Sequence, residues 1–262
     1  MKSIEERLTD HYNESLQYFP ENKIVGIFLQ GSQNYGLDTE ESDVDTKLIV
    51  APFFKEFAFN LQPMSTTHVR KNNEHIDFKD VRLMLGTLKK QNLNFLEILF
   101  TDYCIINPIY YPQWQKLINH KEEIAHYNPY AAVRCMQGHA KEKYKKMGRC
   151  LQGREEIFDK YGYDPKQFQH LVRIYEYLSK YISGKEFIDC LHPDNPTELK
   201  MIKQGKYNLN EANALANEYM EYIDLLANDF CENHNNKGNL EIEKLLNEVQ
   251  YKIVERAIRE EL

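Results

Sequence analysis

Two aspartates two residues apart, Asp43 and Asp45, stand where a glycine-containing turn meets an apolar run. That junction restricts what the chain can become. Ile24-Val25-Gly26-Ile27-Phe28-Leu29 leads into the turn, and Lys47-Leu48-Ile49-Val50 leads out. Both runs are short, rich in β-branched or aromatic residues and bounded by turn formers, which is the pattern of buried strands. Side chains alternate along a strand, so the sequence predicts that Asp43 and Asp45 project the same way. Two carboxylates side by side repel, and a cation held between them relieves the repulsion.

The turn, Gly31-Ser32-Gln33-Asn34-Tyr35-Gly36, carries small polar groups suited to phosphate. Glycine has no Cβ, so the backbone amides at Gly31 can approach a ligand, and Ser32 adds a hydroxyl. Magnesium takes oxygen ligands and is usually held by one or two carboxylates plus substrate phosphates. Two such ions can stabilise the attacking and leaving oxygens of an in-line displacement.

The remaining chain organises around this unit. A helix is expected over 3–19, with Ile4, Leu8, Tyr12, Leu16 and Phe19 at helical spacing and Pro20 as a stop. Strands are expected at 24–30, 43–51, 75–78 and 103–106, and a helix at 81–90. The stretch 53–73 is ambiguous, and its polar part, 64–73, is read as containing a loop. From Ile109 onward the periodicity is helical, with candidates at 111–126, 130–147, 165–182, 197–204, 211–233 and 239–260. The fold class is therefore α+β: a small mixed-sheet domain over 1–108 with helices on one face, then a helical domain over 109–262. The chain has 262 residues, enough for this division.

Composition narrows the function classes. No apolar run approaches the ~20 residues that span a bilayer, and the first residues lack the apolar core of a signal peptide, so a cytoplasmic protein is expected. The five cysteines, Cys104, Cys135, Cys150, Cys190 and Cys231, are scattered without a CxxC pair, against a disulfide framework or a zinc site. The formal net charge of -7 gives no overall sign of nucleic-acid binding. It conceals an asymmetry, because residues 131–173 carry ten Lys/Arg against five Asp/Glu while 211–262 carry five against twelve. Gly-x-Gly-x-x-Gly is absent, and no Ser/His/Asp triad accompanies Ser32.

A hydrophobic strand, Gly31-Ser32, about a dozen residues and then Asp43-Val44-Asp45 together resemble the signature of the DNA polymerase beta-like nucleotidyltransferase superfamily. The resemblance implies a third carboxylate on a later strand. Asp77, within Glu74-His75-Ile76-Asp77-Phe78, is the best candidate, with Glu74 and Asp80 as alternatives read as surface carboxylates. The full turn pattern, Gly-Ser-x-x-Tyr-Gly-Leu-x-Thr-x-x-Ser-Asp-x-Asp, is similar to a bacterial and phage subgroup called RlaP-like and associated with RNA repair. Asn92-Leu93-Asn94-Phe95-Leu96-Glu97-Ile98-Leu99-Phe100 is similar to that subgroup's Asn-Pro-Asn-x-x-Glu-x-Leu-Phe element, with Leu93 in place of the proline. Gly162-Tyr163-Asp164-Pro165-Lys166, continuing to His170, Leu171 and Arg173, resembles a third element of it.

That third element also has its own physical logic. Asp164 suits an N-cap and Pro165 a first helical position. At about 100° per residue, Lys166, His170 and Arg173 share a narrow arc, opposite Phe168 and Leu171. The expectation is thus a nucleotidyltransferase using Mg²⁺ or Mn²⁺ to transfer NMP from a nucleoside triphosphate to an acceptor hydroxyl. RNA is a possible acceptor. Asp43, Asp45 and Asp77 would be catalytic and metal-binding. Gly31, Ser32, Tyr35, Lys166, His170 and Arg173 would bind nucleotide, with the helical domain closing the cleft. The alternative is a catalytically silent nucleotide-binding or protein-binding module on the same fold. The sequence leaves the base, the acceptor and the oligomeric state open.

Overall fold

The computed structural model describes residues 2–39 and 42–261; Glu40 and Glu41 of the turn motif lie outside these. In chain order the elements are α1 (Ile4–Ser15), β1 (Ile24–Gln30), β2 (Asp45–Val50), α2 (Phe54–Ala58), β3 (Ser65–Val69), β4 (His75–Asp80) and α3 (Val81–Lys89). Next come α4 (Leu93–Leu96), β5 (Cys104–Ile106), α5 (Tyr111–Ile118), α6 (Lys121–Ala125) and α7 (Pro129–Met147). The series closes with α8 (Glu155–Tyr161), α9 (Pro165–Ile182), α10 (Phe187–Leu191), α11 (Pro196–Lys203), α12 (Leu209–Glu232) and α13 (Leu240–Arg259). The architecture is α+β. Among the described residues no helix is long and apolar enough to cross a membrane.

The described strands form one mixed sheet in the order β3-β4-β2-β1-β5. β1 is antiparallel to β2 and β5, β3 is antiparallel to β4, and β2 runs parallel to β4. Apolar alternation sends Ile27, Leu48, Val50, Ile76 and Phe78 to one face, where they pack with Leu8 of α1 and Phe19. Phe28, the neighbour of Ile27, points the other way and stacks on Trp114 of α5 at 4.2 Å. Helices thus cover more than the one face expected. β1 can carry apolar residues on both sides from Ile24 to Leu29 because both sides are buried there.

Two local readings change. The polar stretch 64–73 contains β3 rather than loop alone. This strand is at the sheet edge and largely exposed, so it carries no apolar alternation to betray it. The second strand begins at Asp45 rather than 43, which leaves Asp43 on the segment leading into it.

The chain resolves into two compact units, and the division differs from the expected boundary at 108. The first comprises 1–34, 38–128 and 238–262; the second comprises 35–37 and 129–237. Helix α5 belongs with the sheet because Trp114 stacks on Phe28 of β1, and α6 packs on α3 and α5. The last helix, α13, belongs there too. The ammonium of Lys23, 1% exposed, donates to the carbonyls of Pro52 and Ala257 and to Glu261 Oε2, at 3.2, 3.0 and 2.8 Å. A buried lysine is tolerated only with such acceptors. In the second unit α9 is central, packed by α7, α10, α11 and α12. Arg134 and Gln137 of α7 reach Asn228 and Asp224 of α12.

A buried charge network fastens α1 to the sheet. Glu74, 1% exposed, accepts from Arg7, from Arg70 Nη1 at 2.6 Å and from His11 Nε2 at 2.9 Å, while His11 Nδ1 meets Thr46 Oγ1 at 2.9 Å. Burial first, and then the positive charge of Arg70, pushes the His11 imidazole down to about 4. The unfolded chain therefore takes up this proton near pH 6.5 and the folded chain only near 4. Stability is lost as pH falls through that window. His11→Gln should flatten the stability loss between about pH 6.5 and 4, measured as urea midpoints at about pH 7 and 5. An acid slope unchanged by the substitution would remove His11 as its source.

Candidate active site

The site lies in the first unit, on the sheet face opposite the α1 core. Register determines its composition. Gln30 pairs with Asp45, and Phe28, Lys47, Asp77 and Thr67 form a row across four strands. Alternation then brings Gln30, Asp45, Lys47, Asp77 and Lys79 to one surface. These residues, with Gly31, Asn92, Asn94, Phe95 and Glu97, line a pocket of about 450 Å³.

Each carboxylate is positioned by hydrogen bonds from its neighbours. Asp45 Oδ1 accepts from the His75 backbone N–H at 2.9 Å and stands 3.1 Å from His75 Nδ1. Asp77 accepts from Thr67 Oγ1 through one oxygen and from Gln30 Nε2 at 3.3 Å through the other. Both side chains sit on paired strands, so their spacing is fixed by the backbone ladder rather than by a loop.

Gly31 ends β1 with φ +96°, a conformation that costs other residues energy, while a Cβ there would meet nothing within 4 Å. The glycine serves the turn and not a tight packing contact. Asn34 ties this turn down: its Nδ2 donates to the Leu29 carbonyl at 3.1 Å and its Oδ1 accepts from Thr101 Oγ1 at 2.7 Å.

The opposite wall comes from the turn after α3. Gln91 takes a left-handed conformation, φ 56°, held by its own buried amide, which donates to the carbonyls of Leu88 at 2.9 Å and Ile124 at 2.8 Å. Asn92 then caps α4 by accepting from the Asn94 N–H at 3.1 Å. The Asn92–Glu97 segment singled out in the sequence therefore faces the two aspartates across one cavity.

Lys47 connects the two walls. It is 2% exposed, its Nζ donates to the Asn94 carbonyl at 2.6 Å, and it lies 4.4 Å from the centroid of the Phe95 ring. Burial pushes its ammonium down to about 8, the Asp77 charge opposes that shift, and Lys79 adds to it. Sequence reasoning passed over Lys47 as part of an apolar strand. The signal was available: Lys47 lies two residues beyond Asp45, so alternation sends both to the same face.

The predicted residues divide between places. Gly31, Asp45 and Asp77 line the pocket. Ser32 opens the short turn helix Ser32–Tyr35 and is not among the lining residues. Asp43 is exposed and also outside the lining; its carbonyl accepts from Gln33 Nε2 at 2.6 Å. Tyr35, Lys166, His170 and Arg173 belong to the second unit, where the Arg173 guanidinium stacks 3.6 Å from the Tyr35 ring centroid. The alternatives to Asp77 are structural rather than surface carboxylates. Glu74 is buried in the α1 network, and Asp80 caps α3 and pairs with Arg82 at 2.6 Å.

The donor chemistry fits a divalent cation held by Asp45 and Asp77, two carboxylates that leave further positions to a substrate's phosphates. Among the described residues, no group of three or more His, Cys, Asp or Glu side chains is assembled to hold a metal on its own.

Lys47 gives a test of the site's electrostatics. Placing an ammonium in a dry wall costs several kcal/mol before its contacts return part of it. Lys47→Met keeps the stem, so it should leave folding stability unchanged or raise it by about 1–3 kcal/mol in urea titrations. A fall of that size would mean that the Asn94 and Phe95 contacts outweigh desolvation.

No protein-family model matches the chain, and no curated protein matches it. Among solved structures it is similar to a nucleotidyltransferase-like protein from Exiguobacterium sibiricum 255-15. The two chains are 14% identical, with a TM-score of 0.33 and an alignment covering 98% of this chain and 80% of that one. A likeness at that score transfers neither fold nor activity.

Proposed function

We propose that the protein is a metal-dependent nucleotidyltransferase. It would transfer NMP from a nucleoside triphosphate to an acceptor hydroxyl and release pyrophosphate. The observation that carries this reading is the placing of Asp45 and Asp77 on adjacent parallel strands, where both line one pocket together with Gly31. The turn-and-aspartate motif resembles that of the DNA polymerase beta-like superfamily, and this supports the same reading.

In the proposed reaction the acceptor oxygen bonds to the α-phosphorus, and the oxygen bridging the α- and β-phosphorus leaves with pyrophosphate. Asp45 and Asp77 would hold Mg²⁺ or Mn²⁺, with Asp43 joining from the segment before β2. The ion supplies charge neutralisation at the attacking and leaving oxygens. Asp77 would also favour loss of the acceptor's proton. Gly31 and Ser32 would offer the triphosphate backbone N–H groups and a hydroxyl. Lys47, fixed by Asn94 and Phe95, would set a positive charge against the developing negative charge. An RNA end is the proposed acceptor, on the strength of the RlaP-like resemblance. His75 would keep the Asp45 carboxylate in its orientation.

A second reading has its own support. Asp43 does not line the pocket beside Asp45 and Asp77, and the Asp45 carboxylate is already engaged by His75. A catalytically silent nucleotide-binding module would tolerate that arrangement. Calorimetry with Mg²⁺-NTP beside a pyrophosphate-release assay separates the two, since binding without release across RNA, protein and small-molecule acceptors selects the module. For the enzyme, Asp45→Asn and Asp77→Asn should each lower transfer of α-labelled NMP by about 10³-fold without loss of fold. Undiminished transfer by a folded Asp45→Asn protein would overturn the proposal.

A further inference from the structure

The second unit carries its own concentration of positive charge. On α9, residues 166, 170 and 173 fall on one arc of the helix, while Phe168 and Leu171 are fully buried on the other side. The arc is more than a solvated stripe. The largest charges acting on His170 come from Arg173, from Lys143 of α7, from Lys166 and from Lys203 of α11. α7 and α11 both pack on α9, so three helices contribute to one place. His170 itself adds no repulsion, because burial and then these cations hold its imidazole well below the ordinary value, in the neutral form.

The contrast with the rest of the unit is informative. Lys141 pairs with Asp224 at 3.0 Å, Lys146 with Glu142 at 2.5 Å, Lys180 with Glu176 at 2.8 Å and Lys206 with Glu198 at 2.5 Å. Lys143 and Lys166 form no ion pair among the described residues. Two further features suit an anion. The stack on Tyr35 fixes the plane of the Arg173 guanidinium, whose fork of N–H groups matches phosphate oxygens. Gln169, one turn before Arg173 and 4% exposed, has an Nε2 group with no acceptor among the described residues. A buried donor left without a partner costs about 1–3 kcal/mol, which an anion can return.

We infer that Lys143, Lys166, Arg173 and Lys203, together with His170 and Gln169, form a binding site for the oxyanions of a short polyphosphate, held within the second unit. Lys143 and Lys166, which have no ion-pair partner among the described residues, stand with Arg173 and Lys203 near one imidazole and suit the clustered charges of a tri- or pyrophosphate group. They match less well a nucleic-acid backbone, which strings single charges along its length. The inference depends on the nucleotidyltransferase reading only for the source of the polyphosphate, a nucleoside triphosphate or its pyrophosphate product.

Calorimetry on the full chain in EDTA at low salt, with sodium tripolyphosphate as probe, isolates this site from metal binding and from turnover. Tripolyphosphate should bind at least tenfold more tightly than inorganic phosphate. Lys143→Met with Lys166→Met should weaken it at least tenfold. Lys166→Arg should retain affinity, and Asp45→Asn should leave it unchanged. Circular dichroism melts would establish that the double variant is folded, and Lys166→Glu alone serves if it is not. Unchanged affinity in the folded variant overturns the inference, as does binding that disappears in Asp45→Asn. So does a protein that binds single-stranded RNA through these lysines while ignoring tripolyphosphate. Failure of NMP transfer with tripolyphosphate binding intact would count against the proposed activity and leave this site standing.

Discussion

The parallel pairing of β2 with β4 is the constraint on which the rest of the structure depends. Lys47 lies opposite Asp77 and Leu48 opposite Phe78, so one register assigns both faces of the sheet at once. On one face Leu48, Ile76 and Phe78 meet Leu8; on the other Asp45, Lys47 and Asp77 meet the pocket. A slip of one residue would exchange the two, placing Ile76 in the pocket and Asp77 in the core. Burial of the α1 core therefore fixes the site's geometry, because the apolar face tolerates no other alignment. Parallel strands also need a crossover connection. Here the chain between β2 and β4 includes β3, which returns alongside β4 and delivers Thr67 to Asp77.

Charge is handled in two different ways. Glu74, Lys23 and Asp80 are buried with full sets of partners, and each joins elements far apart in sequence or caps a helix. Such groups specify one arrangement more than they stabilise it, since removing a single partner strands a charge. Lys47 is buried to a similar degree, yet it lines a cavity that also holds Asp45, Asp77 and Lys79. With Glu97 also in the lining, three carboxylates face two lysines, a small excess of negative charge that an arriving cation offsets. The largest charges acting on His170 are instead of one sign, which separates that place from a helix surface of mixed charges.

Much of this was readable in the residues. β1 was legible to the residue because an apolar run between Pro20 and Gly31 has few alternatives. α9 was legible because Asp164 and Pro165 announce its start and a fully apolar side its path. Asp77 was placed on a strand from the alternation of Ile76 and Phe78 alone. β3 was hidden, since an exposed edge strand has no apolar period. The short helices α8 and α10 were missed because one or two turns give too little periodicity to recognise. The unit boundary was misplaced because sequence composition reports on local periodicity. Membership in a core depends on long-range partners such as Trp114 on Phe28 and Ala257 on Lys23.

The buried ammonium of Lys23 has a consequence for how the chain is made. Its acceptors on and after α13 lie more than two hundred residues downstream, 234 in the case of the Ala257 carbonyl. β1 leaves the ribosome early, but the residue that precedes it has no acceptors from α13 until that helix has been synthesised. The intervening helices at 129–237 form a continuous stretch that can pack among themselves meanwhile. The unit that begins first in the sequence is thus the one that closes last, and its sheet must wait, partly covered, for the final helix.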